Sequence, residues 1–94
     1  MKASREEVYK AIDSERNYQD HRWSPETTRT GGQHSIDEWI LYMEHYLTEA
    51  RSIATRLPAD AANREGLPFI RKVTAMGVAC MEQNGAPMRE RFEC

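Results

Sequence analysis

Between Ser35 and Leu57 the apolar side chains fall at Ile36, Trp39, Ile40, Met43, Tyr46, Leu47, Ala50, Ile53, Ala54 and Leu57. Those steps alternate between three and four, which predicts one amphipathic helix of about six turns. Ser35 followed by Glu38 is a capping-box pair that satisfies backbone N–H groups at the start. Asp37 and Glu38 oppose the positive end of the helix dipole, and Arg51 and Arg56 lie toward the negative end. Pro58 then stops the helix by pushing Leu57 out of the helical region. A stripe of this width is not stable alone in water, so the rest of the chain must cover it.

Ser4 and Glu7 form a second capping box, which opens a helix through REEVYKAIDSERNYQD. Its inner face carries Val8, Ala11, Ile12, Glu15, Tyr18 and Gln19, so the apolar stripe weakens toward the end. Glu15 there reads either as a helix-edge carboxylate or as a polar group aimed at a site. Residues 24–34, SPETTRTGGQH, form a loop that is long for a helix–helix connection. Its Gly31-Gly32 pair is followed by no Gly-Lys-Ser/Thr, so it is no phosphate loop. Beyond Pro58, PADAANREG predicts a single helical turn ended by Gly66. Pro68 then suits the first position of a third helix that stops at Gly85. Phe69, Val73, Met76, Gly77 and Cys80 share one face of that helix, as close packing on the central helix requires. The tail, 86–94, is polar and loosely held, with Phe92 as its one candidate anchor. The expectation is a single all-α domain spanning 1–94: an antiparallel hairpin of 35–57 and 68–84, buttressed by the N-terminal helix.

Composition adds three constraints. With 94 residues, 39% hydrophobic and 30% charged, the core is thin, which favours assembly into a homo-oligomer. A net charge of −2 argues against general nucleic-acid binding and against a membrane partner. Two cysteines, one in an apolar helical run and one at the last residue, fit a reduced, cytoplasmic setting better than a disulfide framework. The chain shows neither a signal peptide nor a long apolar run.

Three groups of residues could carry chemistry. Glu38, Tyr42, His45 and Glu49 form a stripe beside the core-facing one, where His45 and Glu49 could both reach one ligand or metal ion. A third metal ligand would have to come from elsewhere, and the alternative is a hydrated face with a His–Glu pair. Arg71 and Lys72 are adjacent on the third helix and could hold a phosphate, or else pair with Glu44, Glu49 or solvent. Tyr18, Arg22, Trp23, Arg29 and His34 combine aromatic faces with cations around the loop, the combination that nucleotide binding requires. Against that, a Trp after a helix also serves as a lid on a small core. No serine has the context of a nucleophile.

The runs RNYQDHRW, HS-x-x-EW, EARSIATR and RKVTAMGVACMEQNG resemble small phage-encoded proteins related to the MazG-like, all-α nucleoside triphosphate pyrophosphohydrolases. The resemblance covers roughly residues 5–87. It implies an E-E-x-x-E motif on the central helix and a later E-x-x-D, whose carboxylates hold Mg²⁺. Glu49 matches the last glutamate, but the paired glutamates fall on His45 and Tyr46, with Glu44 one place off. The later motif falls around Arg71 to Ala75, where there is no carboxylate. Magnesium needs several oxygen ligands, and cations in their place oppose it.

The resulting expectation is a non-catalytic, cofactor-free oligomer that binds a phosphorylated nucleotide. In a phage setting that ligand could be a cyclic oligonucleotide of host defence signalling, sequestered in the bacterial cytoplasm. One alternative is a pyrophosphohydrolase with an altered Mg²⁺ site built from Glu15, Glu44, Glu49 and Glu82. Another is a module that inhibits a host protein by binding it.

Overall fold

The structure of the protein is a computed structural model and describes residues 2–24 and 32–90. Three helices account for most of them: α1 (Arg5–Arg22), α2 (Ile36–Arg56) and α3 (Ala59–Asn84). Both expected capping boxes form. Ser4 Oγ accepts from the Glu7 N–H at 3.1 Å while the Ser4 N–H donates to Glu7 Oε1 at 3.0 Å. At α2 the Ser35 N–H donates to Glu38 Oε1 at 3.0 Å, and Ser35 Oγ accepts from the Glu38 N–H at 3.4 Å. At the far end of α2, Leu57 is extended (φ −110°, ψ 153°), as a residue before proline should be.

The expected third helix starts nine residues too late. Pro58 serves as the N-cap, the Ala62 N–H donates to its carbonyl at 2.8 Å, and α3 continues unbroken through Pro68 to Asn84. The separate turn ended by Gly66 is therefore the first part of α3. Gly66 is helical and buried, and a Cβ there would lie 3.8 Å from Ile53 Cγ2. It marks where α3 approaches the end of α2, not a stop. A mid-helix proline costs about 3 kcal/mol because the carbonyl four residues back loses its donor. Packing of the segment before Pro68 on α2 offsets that cost, which local sequence rules do not count.

α3 packs against both other helices, and α1 and α2 touch it from separate sides. Contacts of Ile53 with Gly66 and of His34 with Gln83 fix α2 and α3 as antiparallel. The core is small: Trp39, Met76 and Ala79 are buried together, with Trp23, Met43, Tyr46 and Cys80 packed around them. Its radius of gyration, 14.9 Å, exceeds the roughly 12 Å of a compact chain this long. The flat arrangement leaves apolar side chains in water, among them Leu41 at 66% and Leu67 at 60% exposure. No helix among the described residues is long and apolar enough to cross a membrane. Phe92 lies outside the described residues.

One side chain ties the loop end, α2 and α3 together. Gln83 Oε1 accepts from the His34 N–H and from Trp39 Nε1–H, both at 2.9 Å, and its Nε2 donates to the Gly32 carbonyl at 2.8 Å. Gly32 has φ +78°, and a Cβ there would sit 2.5 Å from the Trp23 carbonyl oxygen, so no other residue fits without movement. Gln83→Met, which keeps length and removes all three bonds, should cost about 2–4 kcal/mol in urea unfolding, at roughly 1 kcal/mol per bond. A loss below about 0.5 kcal/mol would show that the loop holds itself.

The caps also make a pH prediction. Hydrogen bonds from the Ser4 and Ser35 backbone N–H groups hold the Glu7 and Glu38 carboxyls below their ordinary value of 4.5. A lowered folded-state value means that the contribution is complete above 4.5 and is lost as pH falls through the lowered values. Melting temperature should therefore drop with acid below that range. The Glu7→Gln, Glu38→Gln double variant should start less stable at neutral pH and lose less on acidification.

Candidate functional site

Where the second half of α1 meets α3, the faded stripe of α1 becomes a polar seam. Glu15 is 7% exposed, and its Oε1 accepts from Arg71 Nε at 2.7 Å. Gln19, also buried, donates through Nε2 to the Lys72 carbonyl at 3.2 Å. Arg16 grips both oxygens of Glu82, with Nη2 at 2.9 and 2.6 Å and Nε at 3.2 Å to each. Two of the four carboxylates of the altered Mg²⁺ site are thus held by arginines. Glu44 and Glu49 stand exposed on α2, and among the described residues no three His, Cys, Asp or Glu side chains come together to hold a metal. Arg71 pairs with Glu15 rather than with Glu44 or Glu49.

The seam opens into a cleft of about 500 Å³ lined by Ser14, Glu15 and Tyr18 of α1 and by Pro68, Phe69, Arg71 and Lys72 of α3. That volume lies within the range of small-molecule sites. Lys72 Nζ sits 4.6 Å from the ring centre of Tyr46 and 5.8 Å from that of Phe69. The two rings stack with centres 6.5 Å apart and planes at 28°. The ammonium is thereby held by aromatic faces instead of a carboxylate, and none of the ion pairs among the described residues uses it. The Tyr18 ring is mostly exposed at the rim. Cation, guanidinium and aromatic faces share one concavity.

Three of the nine expected binding residues, Tyr18, Arg71 and Lys72, therefore meet. Five of the others, Arg22, Trp23, His34, His45 and Glu49, do not line this cleft. Trp23 follows the end of α1 and packs on the Trp39 cluster, the lid-like placement. His34 packs edge-on to Trp39 (5.1 Å) and Tyr42 (5.0 Å), with Nδ1 3.8 Å from the Glu38 carboxylate. His45 is exposed on α2 with its ring 5.0 Å from that of Tyr46, and Glu49 is exposed one turn on. Arg22 is exposed in the last turn of α1, and Arg29 lies outside the described residues. Sequence reasoning missed Phe69 as a lining residue and Tyr46 as the ring that holds Lys72, because both sat on core-facing stripes. Their signal was Lys72, which lies three residues after Phe69 and so shares its face.

Comparison of the chain with protein-family models, with curated proteins and with solved structures finds no match.

The buried Glu15 carboxylate depends on Arg71, which is itself partly in water, so screening reduces the pair's strength. Arg71→Ala should destabilise the fold by about 1–3 kcal/mol, since it strands a buried charge. Glu15→Gln, which still accepts a hydrogen bond, should cost less. Chemical denaturation of both variants checks the order, and the reverse order would show that Glu15 does not need its partner.

Proposed function

We propose that this chain binds a phosphorylated nucleotide without hydrolysing it, as a helical homo-oligomer on a MazG-like scaffold whose metal motif is gone. In a phage-infected bacterium such a protein would sequester a signalling nucleotide, a cyclic oligonucleotide being the favoured class. The observation that carries the reading is the α1–α3 cleft, where Arg71 and Lys72 stand beside the rings of Tyr18 and Phe69. Phosphate needs a planar donor or a point charge, and a base needs an aromatic face. Lys72 and Arg71 occupy the positions where the resemblance expects metal-binding carboxylates, so cations take over the neutralisation of phosphate. Arginine contacts to Glu15 and Glu82 argue against the altered Mg²⁺ site. Self-association is motivated by the exposed side chains of Leu41, Leu47, Leu67 and Ile70.

Calorimetry against a panel of linear and cyclic nucleotides tests the reading. Wild type should bind at least one member, and EDTA should make no difference. Tyr18→Ala and Lys72→Ala should each weaken binding about ten- to a hundred-fold, the scale of one stacked base or one charge-assisted contact. Light scattering on the same samples should give a mass above that of a single 10.9 kDa chain. If no nucleotide binds below about 100 micromolar, a binding free energy of about −5.5 kcal/mol, the reading fails and a protein partner becomes the better one.

A further inference from the structure

We propose that Glu15 is the specificity-determining residue of the α1–α3 cleft, selecting a phosphodiester over more highly charged phosphates; this rests on the nucleotide reading above. A guanidinium presents five donors around one plane. Glu15 engages the Nε of Arg71 from its buried position at 2.7 Å, while 45% of the Arg71 side chain stays exposed. The carboxylate thus fixes the plane of the group and leaves its terminal nitrogens to meet an anion.

The charge of the cleft follows from the same contacts. Arg71 and Lys72 are positive, Glu15 is negative, and the remaining lining residues are uncharged. One positive charge is left over. A phosphodiester carries one negative charge per phosphate and neutralises it. A phosphomonoester approaches two at neutral pH, because its second ionisation lies near pH 6. A triphosphate carries more still. Each surplus charge faces Glu15 with no further cation in the lining among the described residues. Glu15 is mostly out of water, so salt screens it poorly. At about 6 Å and an effective dielectric constant near 40, one such repulsion amounts to roughly a tenfold change in affinity. Glu15 therefore acts both as a positioning residue for Arg71 and as a charge filter.

The test compares two probes without divalent metal, a linear dinucleoside monophosphate with a single diester and the corresponding nucleoside triphosphate. Glu15→Gln keeps the shape and an acceptor for Arg71 but removes the charge. It should raise triphosphate affinity about tenfold relative to the diester, the change of one such repulsion. Wild type itself should bind the diester more tightly than the triphosphate, and the reverse preference overturns the role of Glu15 even if circular dichroism shows that Glu15→Gln has lost its helices. A ratio unchanged within about threefold, with wild type still binding, overturns the role of Glu15 and leaves the nucleotide reading standing. Wild type binding neither probe, nor any member of the wider panel, overturns both.

Discussion

The fold depends on how a single amide, that of Gln83, divides its hydrogen bonds. Its oxygen takes the His34 N–H and the Trp39 indole N–H, and its nitrogen reaches the Gly32 carbonyl. Through these bonds the last turn of α3 fixes where α2 begins and how Trp39 lies over Met76 and Ala79. Gly32 in turn abuts the Trp23 carbonyl, so the end of α1 is positioned by the same contact. The indole N–H of buried Trp39 without an acceptor would carry a desolvation penalty of about 1–3 kcal/mol. With few large side chains fully buried, directional bonds such as these decide the arrangement that packing alone would leave loose.

The second half of the assembly is held differently. α2 joins α3 through Trp39, Met43, Tyr46, Ala50 and Ile53, an apolar seam. α1 joins α3 through Glu15, Gln19 and Arg16, a seam of charges and amides. Polar seams are orientation-specific but add less net free energy per area, since each group gives up water to make its bond. α1 is for that reason the helix expected to detach first when the protein opens locally.

This contrast explains what could be read from the residues alone. The apolar period of 35–57 and the two capping boxes determined α1 and α2 almost to the residue, because caps and stripes are local. The start of α3 was not legible. Pro68 and Gly66 carry strong local signals for a break, and the contact of Gly66 with Ile53 that overrides them joins residues thirteen apart. Glu15 was legible as an anomaly on an otherwise inward face, but its partner was not. Arg71 comes fifty-six positions later, and nothing in either local pattern pairs them. Tyr18, Arg71 and Lys72 were drawn from two separate groups of candidates, the loop-flanking aromatics and the third-helix cations. Only the packing of α1 on α3 shows that they belong to one cleft, while Trp23 and His34 belong to the core end.

The weakness of the α1–α3 seam and the chemistry of the cleft have one origin. An apolar residue at position 15 would pack α1 more firmly, yet it would leave Arg71 unheld and the cleft with one more positive charge. Gln19 shows the same compromise: it is buried, yet its Oε1 has no hydrogen-bond partner among the described residues. Both residues put polar groups on the side of α1 that faces α3, where an apolar stripe would otherwise continue. The hydrophobic stripe weakens there because the residues that face α3 are occupied in arranging charge. Under the proposed reading the ligand would sit between α1 and α3 rather than on the exposed His45–Glu49 face of α2. On that face no bond among the described residues fixes either side chain across helices, whereas Arg71 is oriented from α1 and Lys72 is held over Tyr46 from α2. A site whose donors are oriented before the ligand arrives loses less entropy on binding.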